Sequence, residues 1–178
     1  ALDRPDVQYI CKELARAMTK PSVFAMEHLK HLARYLLKHP RLVWQFNRQH
    51  LPTHVDAFAD SNWAGCPVTR KSTTCCILTL GAHCLTTASF TQSVISLSSA
   101  EAEYYAMVKA ACRLIGMTYL LRDVGCSFKA RLWSDSSAGI GIAGRRGASG
   151  VRHIETQTLW LQQQVARRRL EVKKKAGK

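Results

Sequence analysis

The spacing of apolar residues changes near residue 50. Upstream, "DVQYICKELARAM" and "SVFAMEHLKHLARYLLKH" carry apolar residues every three to four positions. That period predicts two amphipathic helices, split by the breaker Lys20-Pro21-Ser22 and stopped by Pro40. "NRQHLPTH" then reads as a linker. Downstream the runs are shorter and β-type. "VDAFAD" predicts a strand and "SNWAGCPVTRKS" a turn-rich loop. "TTCCILTL" and "HCLTTASF", with Gly81 between them, predict a hairpin. "SVISL" reads as a third strand or as the continuation of the one before it.

A long helix is expected from about Ser99 to Asp123, stopping near Gly125. The strand "KARLWSD", the short Gly-rich helix "SSAGIGIAG" and the basic loop "RRGASGV" follow. A helix from about Arg152 to Arg168 and a last strand in "LEVKK" complete the chain. The order β-β-β-α-β-α-α-β predicts an α/β domain, a mixed sheet with helices packed on it. The expected division is a helical segment, 1–50, and a sheet-bearing domain, 51–178. No internal repeat is visible.

Composition narrows the function classes. At 178 residues and 47% hydrophobic, the chain can bury a sizeable core. No apolar run approaches the ~20 residues of a membrane span, and "ALDRPDVQYI" is not a signal peptide, so no membrane partner is expected. A first residue other than Met suggests a fragment or a processed product. The charge is lopsided, 26 Lys+Arg against 12 Asp+Glu, formally +14. Such an excess attracts polyanions, which makes nucleic acid the leading partner class. Seven cysteines, an odd count without a C-x-x-C pair, argue for a reducing, intracellular setting, cytoplasmic or nuclear. They argue equally against a zinc site or a disulfide framework.

Two glutamates carry the first chemical clue. Ser98-Ser99-Ala100-Glu101 fits the S-x-x-E capping box, which gives Glu101 a structural task. Glu103 has no such task. Two residues turn a helix by about 200°, so Glu103 faces away from Glu101 and shares a stripe with Ala106, Met107, Ala110 and Leu114. A carboxylate there needs a cation, or further carboxylates with a metal between them, unless it lies at a solvated rim. Asp60 and Asp135 each close a β-like run, just before a serine. Asp is also a common helix N-cap. Two strand-end aspartates with an inward glutamate nevertheless form a candidate site for a hard divalent cation. The basic pairs Arg70-Lys71 and Arg145-Arg146, in loops, are candidate phosphate contacts. Arg167-Arg168-Arg169 and Lys173-Lys174-Lys175 are further ones. Trp63, Trp133 and Trp160 read as core residues.

"DSNWAGCPVTRKST", "SLSSAEAEYYAM", "LWSDSSAGI" and "VRHIETQTLWLQ" together resemble the ribonuclease H domain of copia-type LTR retrotransposon Pol polyproteins. "RPDVQYICKELARAM" and "LKHLARYLLKHPRL" resemble the stretch joining the reverse transcriptase thumb and connection to that domain. The resemblance implies a five-stranded mixed sheet with three antiparallel strands, flanked by helices. It implies two Mg²⁺ (or Mn²⁺) ions and a hydrolase that cuts the RNA strand of an RNA–DNA hybrid. Asp60, Glu103 and Asp135 fall on the family's three carboxylate positions, as catalytic and metal-binding residues. With Arg152, the loop pairs Arg70-Lys71 and Arg145-Arg146 are the candidate nucleic-acid contacts. Expected partners are an RNA–DNA hybrid or RNA, and the rest of a polyprotein or a larger assembly.

The departures also matter. Asn62 stands where the family has a second Asp, and Ala88 and Phe90 replace a Trp and a Lys. The segment that bears a fourth carboxylate in the family is not found, so the domain is expected to be truncated before its last helix. Glu155 is the nearest stand-in as a metal ligand, with His153 beside it. The alternative function is a domesticated, inactive module that binds RNA or serves as a structural subunit of a ribonucleoprotein.

Overall fold

The computed structural model describes residues 3–146 and 159–176. The chain divides into two compact units, Ala1–Arg48 and Gln49–Lys178.

In the first unit a 3₁₀ turn, Pro5–Val7, leads into α1, Gln8–Ala17, and then α2, Val23–Lys38. The breaker separates the helices as expected. Ser22 restarts the chain, its Oγ accepting the Ala25 N–H at 3.2 Å. α2 ends before His39, whose backbone (φ −125°, ψ 67°) lies outside the α region that is disfavoured before proline. Arg4 grips the Asp6 carboxylate in a fork at 3.0 and 2.8 Å, and Tyr35 Oη donates to the same carboxylate at 2.9 Å. Those bonds tie the start of the unit to α2. Among its described residues only Val7 is buried.

The second unit is built on five strands: β1 His54–Asn62, β2 Thr73–Leu80, β3 His83–Thr91, β4 Lys129–Ser134 and β5 Glu171–Lys174. Their spatial order is β3-β2-β1-β4-β5. β1, β2 and β3 pair antiparallel, while β4 runs parallel to β1 and β5 parallel to β4. This is the mixed, ribonuclease H-like sheet that the motifs imply. The β2–β3 hairpin closes over Gly81-Ala82, and the left-handed backbone at Gly81 (φ +59°) is one that L side chains resist. Gln49 clamps this turn, donating to Leu80 O at 2.8 Å and accepting from Ala82 N at 2.9 Å.

Strand periodicity sets the core. Val55, Ala57 and Ala59 of β1, Cys76 and Leu78 of β2, and Ala130 and Leu132 of β4 are buried at alternate positions. Against them packs α3, Ser99–Asp123, through Ala102, Ala106, Met107, Ala110, Ala111 and Leu114. Small alanines let this helix sit close to the strands. The short helices α4, Ser137–Ala143, and α5, Trp160–Ala166, add Ile142, Ala143 and Leu161 to the same cluster. The intervening strand positions of β1 and β4 carry Asp56, Phe58, Arg131 and Trp133. Arg131 forks onto Asp56 at 2.6 and 3.1 Å, and the Trp133 indole N–H donates to Asp56 at 2.6 Å. Phe58 stacks on Trp133 with ring centroids 6.2 Å apart.

Several expectations need correction. "SVISL" is a loop: the β2–β3 pairing closes at Thr73↔Thr91, followed by a single backbone bond from Gln92 N–H to Ser72 O at 2.8 Å. β1 extends past "VDAFAD" to Asn62, since its antiparallel pairing with β2 continues there. Trp63 is half exposed and Trp133 lies among the polar side chains just described, so neither is a core residue; Trp160 does pack against the core. The expected helix from Arg152 is described only from Trp160 onward. The seven cysteines are free thiols; burial pushes Cys76 up to about 12. No helix among the described residues is long and apolar enough to cross a membrane.

Candidate metal centre

The sheet register brings the two aspartates together. β1 and β4 pair in parallel from His54↔Lys129 to Phe58↔Trp133. Carried two residues further, the same register sets Asp60 opposite Asp135. Asp60 lies within β1, in its antiparallel pairing with β2 (Asp60↔Cys75), whereas Asp135 directly follows the last residue of β4. Both side chains are exposed at the carboxyl ends of parallel strands, where open sheets place their sites.

Glu103 arrives from α3. Ser98 caps that helix, its Oγ accepting the Glu101 N–H at 3.2 Å, and the Glu101 carboxylate accepts the Leu97 N–H at 2.9 Å. Glu101 is buried in this task. Glu103, on the other side of the helix, accepts at Oε1 from the Ser61 N–H (3.1 Å) and the Ser61 hydroxyl (2.8 Å). Its Oε2 is buried and has no hydrogen-bond partner. One carboxylate oxygen from each of Asp60, Glu103 and Asp135 lies within 4.8 Å of the others. No ion pair among the described residues engages any of the three.

The electrostatics follow from this crowding. Burial pushes the Glu103 carboxyl above its ordinary value, and repulsion from Asp60 and Asp135 adds to the push. The Ser61 hydrogen bonds oppose it. Three hard oxygen donors, one with an orphaned buried lone pair, match the ligand preference of Mg²⁺ or Mn²⁺. A group of this kind is unfavourable without a cation and favourable with one.

The surroundings hold the carboxylates in place. Asp135 leads into α4, where Ser136 Oγ accepts the Gly139 N–H at 3.0 Å. A Cβ on Gly139 would come within 3.1 Å of Met107 Sδ and 3.5 Å of Glu103 Cβ, so glycine lets α4 close on α3 beside the glutamate. Gln92 is buried and donates to Thr74 Oγ1 at 3.1 Å and to Ala102 O at 2.8 Å. That ties β2 to the first turn of α3, one residue from Glu103. Asn62 fills the space over Gly65, where a Cβ would lie 2.5 Å from Asn62 Nδ2. Ser61, Gln92 and Gly139 were not singled out from the sequence. Only Ser61 had a signal there, standing directly after Asp60.

Arg70 and Lys71 sit on the loop that leaves β1. Arg70 is exposed and left-handed (φ 56°), and its N–H donates to Cys66 O at 2.8 Å. Arg145 and Arg146 are exposed just after α4. Arg152, His153 and Glu155 lie outside the described residues.

No protein-family model matches the chain. Among curated proteins it is 34% identical over 113 residues to the uncharacterized mitochondrial protein AtMg00810 of Arabidopsis thaliana, covering 64% of this chain and 47% of that one. It is 30% identical over 125 residues to the retrovirus-related Pol polyprotein from transposon RE1 of the same plant, covering 70% of this chain and 8% of the polyprotein. The chain thus spans about half of the first relative and under a tenth of the second. Among solved structures, LC11-RNase H1 in complex with RNA/DNA hybrid is 14% identical, with a TM-score of 0.44, covering 68% of this chain and 85% of that one.

Proposed function

We propose that this chain, a relative of the retrotransposon Pol polyproteins with a ribonuclease H-like fold, is a copia-type ribonuclease H module that cuts the RNA strand of RNA–DNA hybrids with divalent cations. The observation that carries the reading is the buried, unpartnered Glu103 Oε2 beside two exposed aspartates. Asp60, Glu103 and Asp135 would hold the cations. Bound there, Mg²⁺ or Mn²⁺ supplies activation of a water molecule and neutralisation of charge on the phosphodiester.

The chain's own residues do the rest. Ser61 fixes Glu103 by its Oε1 and leaves Oε2 free to ligate. Because the Glu103 carboxyl is held above its ordinary value, protons compete with a cation for it, and cation binding strengthens as pH rises through that raised value. Asp60 and Asp135, exposed on the strand ends, are open to a duplex. Arg70, Lys71, Arg145 and Arg146 neutralise its phosphates, and the 2′-hydroxyls and helix shape distinguish the RNA strand. The rest of a polyprotein is the proposed covalent partner, and free thiols suit a reducing compartment.

The test is incubation of the full chain with a hybrid labelled on either strand. RNA-strand cleavage is expected in Mg²⁺, lost in chelator and in Asp135→Asn, with single-stranded RNA intact. Cleavage undiminished by Asp135→Asn, or salt-sensitive binding with no hydrolysis, overturns it.

A further inference from the structure

A second charged feature lies at the opposite end of the parallel strands. His54 opens β1, six residues before Asp60, and Lys129 opens β4, six residues before Asp135. At ~3.3 Å per residue this end is about 20 Å from the carboxylates. Here His54, Thr118, Phe128, Lys129, Ala130, Arg168, Arg169 and Glu171 enclose a depression of about 420 Å³, the size class of a small-ligand site.

The charges in this hollow do not cancel locally. Glu171 is engaged by Lys173 at 2.7 Å, and His54 Nδ1 bonds Thr53 Oγ1 at 2.7 Å. Thr118 Oγ1 donates to Ile115 O at 2.8 Å, which leaves its acceptor lone pairs open. The side chains of Lys129, Arg168 and Arg169 have no partner among the described residues. Arg168 is placed by an unusual backbone. It ends α5 in the left-handed region (φ 55°), where glycine is preferred, with its N–H on Val165 O at 2.9 Å and that of Arg169 on Gln164 O at 3.1 Å. Buried Leu170 pins the turn behind them. The fold therefore keeps an arginine where glycine would be easier, aimed at the rim of a cationic hollow.

We propose that this depression is a second phosphate-binding site, which holds the backbone of a single nucleic-acid strand apart from the strand at the carboxylates. Two guanidinium forks and an ammonium match phosphate oxygens, and the Phe128 ring in the wall offers a face for a sugar or base. Arg167 adjoins the arginine pair in sequence and adds to the positive charge of this segment. Separation from the carboxylates makes binding here independent of divalent cations.

The experiment measures binding of a fluorescent oligothymidylate to the full chain in chelator, across a salt series. In Lys129→Gln/Arg168→Gly/Arg169→Gln the affinity falls about tenfold or more, and the salt slope becomes shallower by about 2, three phosphates at ~0.7 each for single strands. Arg168→Gly suits the left-handed backbone, and the single variant Arg169→Gln, exposed, gives a slope change of about 0.7 should the triple variant melt early. A matched control, Lys20→Gln/Lys38→Gln/Arg41→Gln, retains wild-type affinity. Equal losses in both triple variants, no loss in the first, or displacement of the oligonucleotide by polyglutamate as readily as by unlabelled strand overturns the site. A chain that shows this pattern yet leaves hybrids uncut retains the phosphate site and loses only the nuclease reading.

Discussion

Replacing Glu103 by Gln is expected to make the metal-free protein more stable while ending its cation binding. The magnitude follows from the geometry. Glu103 lies within 4.8 Å of carboxylate oxygens on both Asp60 and Asp135. Two unit charges at that distance repel by about 3.5 kcal/mol at an effective dielectric of ~20 and about 0.9 at ~80. Both aspartates are exposed, so solvent screening favours the lower figure, roughly 1 kcal/mol per pair. Gln retains the Ser61 hydrogen bonds in weaker, neutral form, a loss of about 1 kcal/mol against the two repulsions. The net gain is about 1 kcal/mol, or roughly 2–4 °C in Tm for a chain of this size.

The sign reverses with conditions. A carboxyl held above its ordinary 4.5 destabilises the fold progressively as pH rises from 4.5 through the raised value, because the unfolded chain releases the proton first. The advantage of Glu103→Gln is therefore present at neutral pH and fades below 4.5, where Glu103 is protonated in both states. Saturating Mg²⁺ stabilises the wild type and not the variant, so their order inverts. Thermal melts at neutral and acidic pH, with chelator and with Mg²⁺, read all of this. A variant that is less stable than wild type at neutral pH in chelator refutes the proposed repulsion.

Two further outcomes follow from named bonds. Ser61→Ala removes the 2.8 Å hydroxyl bond to Glu103 and leaves the amide; Mn²⁺ affinity by calorimetry is expected to fall about fivefold to thirtyfold, for a partly exposed bond of ~1–2 kcal/mol, and to recover partly at higher pH. Asp56→Asn leaves Arg131 without its counter-charge and costs about 1–3 kcal/mol by denaturant unfolding at neutral pH. Burial acts to raise the Asp56 carboxyl, but the Arg131 and Trp133 hydrogen bonds outweigh it and hold the group below 3.8. Its contribution is thus present above pH 3.8 and lost as pH falls through the depressed value, so wild type and variant converge in acid.

Much of this arrangement was legible in the sequence because its signals are local. The period-two runs located the hairpin strands, the Ser98 cap located the start of α3, and the 200° turn between Glu101 and Glu103 separated a capping carboxylate from a site carboxylate. The strand-end positions of Asp60 and Asp135 pointed to a site, but their proximity depends on the parallel β1–β4 register, which no short segment encodes. Gln92 was equally hidden. Its segment has β-type composition, yet the β2–β3 pairing closes at Thr73↔Thr91 and its amide is drawn to Thr74 and Ala102. Trp63 and Trp133 misled because indole bulk suggests core, whereas both N–H groups are spent on polar acceptors, Ser96 O and the Asp56 carboxylate. The basic hollow at His54 and Lys129 was visible only in part, as the Arg167–Arg169 run, until the fold placed residues from four separate segments around one depression.

The central claim is that Asp60, Glu103 and Asp135 together hold divalent cations. Anomalous diffraction from crystals of the chain soaked in Mn²⁺ tests it most directly. Manganese peaks bounded by those three side chains, and absent in Asp135→Asn crystals, are the expected result; manganese confined to other carboxylates, or none at all with the three oxygens still within reach of each other, contradicts it.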